Sequence, residues 1–100
     1  MKVNVSSLKF KADRKLLDFI QERANKLDHL HNEILGGDVV LRVENASDTA
    51  NKIVEIKLHL KGSELFAEKQ SSSFESATDQ VVEALKKQLR KYKEKQNSKS

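Results

Sequence analysis

The chain has 100 residues, with 19 Lys+Arg against 15 Asp+Glu, a formal charge of +4, and hydrophobic content of 37% beside 34% charged residues. That is one folded, highly charged domain; it is too short for two independent cores and buries about 65% of the surface its unfolded chain exposes. There is no Cys, which excludes disulfides and thiolate chemistry; no apolar run approaches the about 20 residues of a membrane span, and polar residues follow Met1-Lys2-Val3-Asn4-Val5 too soon for a signal peptide, so the expected compartment is the cytoplasm.

Lys2 to Ser6 alternates, with Val3 and Val5 on one side, and predicts a short strand. Residues 13 to 31 predict a helix with Asp13 as its N-cap. Leu16, Ile20, Ala24 and Leu27 form one stripe at about 100° per residue, widened by Leu17, Phe19 and Leu30. Gly36-Gly37 breaks that pattern and predicts a flexible turn. Asp38 to Asn45, with Val39, Val40, Leu41 and Val43, predicts a second strand, and the polar stretch Ala46 to Asn51 a hairpin connection. Lys52 to Lys61 is the clearest strand: Val54, Ile56, Leu58 and Leu60 alternate with Glu55, Lys57, His59 and Lys61. Lys61-Gly62-Ser63 predicts a tight turn, and Glu64 to Ser71 a further strand with Leu65 and Ala67 buried. Ser73 is the expected N-cap of a second helix over 74–95, with Ala77, Val81, Val82, Leu85, Leu89 and Tyr92 as its apolar stripe. Residues 1–95 then form a single domain, and 96–100 a frayed polar tail.

The order is β-α-β-β-β-α. A strand, a helix and a strand imply a parallel crossover, and the short turns that follow imply an antiparallel meander. Only one side of the strongest strand is apolar, so both helices are expected on that side of a four-stranded mixed sheet. The result is a two-layer α+β domain, laid out like a double-stranded-RNA-binding domain.

The charge is concentrated at one end. Residues 86 to 100 hold seven basic residues (Lys86, Lys87, Arg90, Lys91, Lys93, Lys95, Lys99) and one acid, Glu94, a local charge of +6. The first 85 residues hold 12 basic and 14 acidic residues, a charge of −2. Like charges at helical spacing repel by a few tenths of a kcal/mol per pair, and the helix dipole accounts for only two or three cations in the last turns. Phosphate binding explains the excess; a solvated, dipole-stabilising face is the bland alternative. Arg23 and Lys26 on the first helix are either a second arm of that surface or, for Arg23, a stem covering core atoms. Tyr92, at the edge of the stripe, either stacks on a base or packs on the sheet. Phe10, Phe19, Phe66 and Phe74 are expected in the core. Recognition of phosphate backbone and RNA shape therefore fits better than base stacking.

Catalysis finds no support. His29 and His31 are two apart and face differently on a helix, and no carboxylate joins His59 in a recognisable metal spacing. Gly36-Gly37 lacks the Lys-Ser/Thr of a phosphate loop. No metal, cofactor or catalytic residue is expected.

The residues resemble the short ribosome hibernation-promoting factors along nearly the whole chain. Met1-Lys2-Val3-Asn4-Val5 with Phe10 and Asp13 is similar to the family's first strand and helix cap, and Phe19-Ile20, Arg23, Lys26 and Leu27 to its first helix. Ala77-Thr78-Asp79 followed by Leu85, Lys87-Gln88-Leu89, Lys91 and Lys93 is similar to its Ala-x-Asp opening and basic helix. The chain departs from the pattern at Ser7 (usually Gly), Ser73 (usually acidic), Glu75 (usually aromatic) and Ala84 (usually Lys). The resemblance implies binding to the small ribosomal subunit, on 16S rRNA in the channel between head and body. It implies competition with mRNA and with A- and P-site tRNA, inhibited translation, and storage of ribosomes under stress or in stationary phase. The expected contacts are Lys86, Lys87, Arg90, Lys91 and Lys93, then Arg23, Lys26 and Tyr92. Long members carry a further dimerisation domain. This chain is expected to be a monomer without one, associated with cytoplasmic ribosomes, so that any ribosome dimers need another factor. A general double-stranded-RNA binder, or a module docking an acidic protein, are the rival expectations.

Overall fold

The alternating strand predicted over 52–61 lies inside the sheet and organises it. In a computed structural model, which describes residues 1–31, 33–44 and 50–97, the chain runs β1 (Val3–Ser7), α1 (Arg14–Asn25), a 3-10 turn (Lys26–His29), β2 (Ile34–Val43), β3 (Lys52–Leu60), β4 (Ser63–Ser71) and α2 (Phe74–Asn97). The sheet order is β1-β2-β3-β4, with β1 parallel to β2 and the other pairs antiparallel. This is the expected four-stranded mixed sheet. Among the described residues no helix is long and apolar enough to cross a membrane.

Both helices pack on one side of the sheet. Leu16 and Ile20 of α1 and Val81, Leu85 and Leu89 of α2 share one core with Val39, Leu41, Val54, Ile56 and Leu58. Each such side chain contributes about 1.5–3 kcal/mol on burial. Phe10 and Phe74, whose rings stack with centroids 5.1 Å apart, close the end of the core where both helices begin. The predicted caps form: Asp13 Oδ1 accepts from the Leu16 amide at 2.8 Å, and Ser73 Oγ from the Ser76 amide at 3.1 Å. Ser7 donates its hydroxyl to the Phe10 carbonyl at 2.8 Å and stabilises the turn into α1.

Three expectations need correction. The first helix ends at Asn25 and tightens into a 3-10 turn instead of reaching residue 31. Gly36-Gly37 is not a turn: β2 begins at Ile34, with a bulge between Ile34 and Gly36, and both glycines lie inside the strand. Their value is proximity. A Cβ on Gly36 would stand 3.1 Å from the Lys2 carbonyl oxygen, and the Gly37 amide donates to that same oxygen at 3.2 Å. The glycines let β1 approach β2. Phe66, expected in the core, is 48% exposed, because strict alternation puts its neighbours Leu65 and Ala67 on the helix-bearing side.

The tight turn at Gly62 is as expected, with φ +80, a conformation only glycine adopts without strain. α2 runs two residues beyond its predicted end, to Asn97. Most of the predicted 46–51 connection, and residues 98–100 of the predicted tail, lie outside the described residues.

Leu85 is fully buried between α2 and the sheet. Leu85→Ala is expected to lower the unfolding free energy by about 2–5 kcal/mol, and Asp13→Ala by about 1 kcal/mol, in urea titrations. A loss below about 1 kcal/mol for Leu85→Ala would contradict this packing.

Candidate nucleic-acid interface

α2 packs by Ala77, Val81, Leu85 and Leu89, so its cations are sorted by their angle from that stripe. Taking Leu85 as the centre, Lys86, Arg90 and Lys93 lie about 80–140° to one side, and Lys87 and Lys91 about 120–160° to the other. Two contacts orient the wheel. Asp79, on the first flank, accepts from Arg23 Nε of α1 at 2.8 Å. Gln88, on the second, donates to the Phe66 carbonyl of β4 at 2.8 Å. The predicted cluster is therefore two rows, one toward α1 and one toward β4, wrapping the solvent side of a single helix.

Lys87, Arg90, Lys91 and Lys93 are exposed, and among the described residues they make no ion pair. Lys86 differs. It is half-buried and pairs with Glu83 at 3.3 Å. Lys26 opens the 3-10 turn and is exposed.

Arg23 and Tyr92 are occupied within the fold. The Arg23 guanidinium sits 4.3 Å above the centre of the Phe19 ring and pairs with Asp79 and Glu22. The Arg23–Asp79 pair ties α1 to α2. The Tyr92 ring packs against the core and meets His31 with centroids 5.5 Å apart, at an angle of 51°.

The opposite side of the sheet has a different character. Arg42 of β2 bridges Glu55 of β3 and Glu68 of β4, the latter at 2.6 Å. His59 of β3 lies between two carboxylates, its Nε2 2.8 Å from Asp38 and its Nδ1 2.9 Å from Glu64. The hydrogen bond to Asp38 raises the pKa of His59 above 6.5; desolvation opposes it, and the bond to Glu64 adds to the rise. The bonds from His59 and then Asn4 hold Asp38 below 3.8. Sequence spacing missed this cluster because Asp38, His59 and Glu64 meet only through strand register. Among the described residues no group of His, Asp and Glu has the arrangement of a metal site.

This fold, with a cationic helix on one side and internally paired charges on the other, has known counterparts. The family described as Sigma 54 modulation protein / S30EA ribosomal protein matches residues 3–97. The chain belongs to that family. A ribosome hibernation promoting factor from Azotobacter vinelandii is 29% identical over 96% of this chain and 86% of its own length. A ribosome hibernation promotion factor from Staphylococcus aureus is 31% identical over 83% of this chain but only 43% of its own length. A ribosomal subunit interface protein from Coxiella burnetii superposes with a TM-score of 0.82 at 20% identity, covering 93% of this chain and 98% of that one. The Thermus thermophilus Protein Y N-terminal domain gives 0.76 at 20% identity, covering 91% and 94%. These two superpositions establish the shared fold.

The His59 cluster sets a pH dependence. A raised folded-state pKa contributes stability that is complete below about 6.5 and is lost as pH rises through the folded value. The stability difference between the wild type and His59→Gln is therefore expected to shrink between about pH 6 and pH 8. A His59 ring titration followed by NMR should have its midpoint above that of a free histidine. A pH-independent difference would refute the carboxylate bridge.

Proposed function

We propose that this chain is a ribosome hibernation factor that binds the small ribosomal subunit through α2 and inhibits translation by occupying the mRNA and tRNA channel. The observation that carries this is the exposure of Lys87, Arg90, Lys91 and Lys93 on α2, which make no ion pair among the described residues, in a chain that belongs to this family. Lys87, Arg90, Lys91 and Lys93 are the principal contacts to 16S rRNA phosphates, with Lys86 beside them. Lys26 lies in a second line, and Arg23 and Tyr92 shape the surface from within the fold. The binding energy comes mainly from counterion release. The domain occludes the channel between head and body by its bulk and needs no cofactor. Ribosomes silenced in this way are preserved through stress or stationary phase.

The scarcity of free aromatic rings supports recognition of backbone and shape over base sequence. A general duplex binder would share that chemistry. Selectivity for assembled subunits separates the two, because a duplex binder loses its ribosome signal to excess duplex RNA.

Sucrose-gradient sedimentation of the protein with ribosomes is the direct test. The protein is expected to travel with small subunits and to resist duplex competitor. With about five phosphate contacts, affinity should fall roughly 10²–10³-fold between about 50 and 200 mM salt. Charge reversal at Lys87, Arg90 and Lys91 together (Lys87→Glu, Arg90→Glu, Lys91→Glu) is expected to abolish co-sedimentation while circular dichroism and the unfolding midpoint hold. Normal co-sedimentation of that triple variant would overturn the assignment of the surface.

A further inference from the structure

A groove of about 690 Å³ runs along the β4-facing flank of α2, between that helix and the strand. Lys69 borders it from the strand, and Lys87 and Ala84 from the helix. Lys69 pairs in register with Val54, so it belongs to the helix-bearing side of β4, in line with Leu65 and Ala67. It lies past the end of the buried row and is exposed. Ala84 contributes only a methyl group and leaves the space between the two lysines open.

Two acids also line the groove, Asp79 and Glu83. Both are neutralised by cations from elsewhere. Arg23 of α1 holds Asp79 at 2.8 Å, and Lys86, on the α1 flank of α2, holds Glu83 at 3.3 Å. These pairs draw both carboxylates toward α1. Lys69 and Lys87 make no ion pair among the described residues, so the groove keeps two uncompensated positive charges. On its wall Ser76 Oγ accepts from the Gln80 amide at 3.3 Å and from the Ser71 hydroxyl at 2.8 Å, which leaves the Ser76 proton and the second Gln80 N–H as neutral donors.

We infer that this groove is a phosphate-binding subsite for an RNA backbone, with Lys69 of β4 and Lys87 of α2 as its two cationic jaws. The inference rests on the proposal that α2 is the RNA-binding element, and it extends the contact surface from the helix onto the sheet. Lys69 is a direct contact. Arg23 and Lys86 are positioning residues whose part is to hold Asp79 and Glu83 away from the incoming phosphate. Charge-assisted hydrogen bonds from two lysines suit a phosphodiester, which offers two anionic oxygens.

The test compares small-subunit binding of the full chain across a salt series for wild type, Lys69→Gln, Ala84→Glu and, as a control on the opposite side of the sheet, Lys57→Gln. Removing one phosphate contact is expected to weaken binding roughly threefold or more at about 0.1 M salt, and to reduce the slope of log affinity against log salt by about 1. Lys69→Gln should show both effects, and Lys57→Gln neither. Ala84→Glu should weaken binding further, because it places an uncompensated acid between the jaws. Wild-type affinity and an unchanged slope for Lys69→Gln would overturn the subsite and leave the proposed function standing. Failure of the wild type itself to bind small subunits would overturn both.

Discussion

The one-sided sheet is the constraint from which the rest follows. Val54, Ile56 and Leu58 of β3, with Val39 and Leu41 of β2, put all their apolar surface on one side. The other side carries Arg42, Glu55, Lys57 and His59. A sheet built this way accepts helices on one side only, so both must share it. Two helices over four strands then leave each with a single buried stripe and a broad solvent surface. On α2 that surface is where the lysines and arginines stand. The placement of α2's cations on the outer face of the helix layer thus follows from where the apolar side chains of β3 point.

Charge is sorted within the molecule as carefully as apolar surface. Acids close to α2 are tied to cations that do not lead the exposed rows: Asp79 to Arg23 and Glu83 to Lys86. On the far side of the sheet, Arg42 and His59 are each held between two carboxylates. Exposed ion pairs of this kind contribute little stability. Their larger effect is on the field: each far-side cation stands against two carboxylates, which leaves a local excess of negative charge there, while the exposed cations of α2 dominate the other side.

Features set by local pattern were legible in the sequence. The alternation of β3, the stripes of both helices, the caps at Asp13 and Ser73 and the turn at Gly62 each depend on a few neighbouring residues, and each formed as expected. The end of α1 and the exposure of Phe66 are local features, but other misreadings turn on a partner distant in sequence. Gly36-Gly37 looks like a turn until β1 is laid beside it, and then its missing side chains become the space that β1 occupies. His59 meets Glu64 across the Gly62 turn, but its second carboxylate, Asp38, is 21 residues away and arrives only through strand register. Lys69 carried a readable signal: extending the alternation of Leu65 and Ala67 by one step puts it on the helix-bearing side. Its position opposite Lys87 needed the packed helix.

The uneven sorting of charge has a consequence for motion before contact. A body with exposed cations along α2 on one side and carboxylates in excess around Arg42 and His59 on the other is an electric dipole as well as a monopole. In the field of a large polyanion such a body turns while still several ångströms away, so its α2 side leads. Collisions that would otherwise be wasted in wrong orientations become productive, and the gain fades once the Debye length shrinks below the approach distance. The pairing of Arg42 and His59 on the rear of the sheet, which does little for stability, thereby acts on the rate of encounter by leaving the molecule only one attractive side.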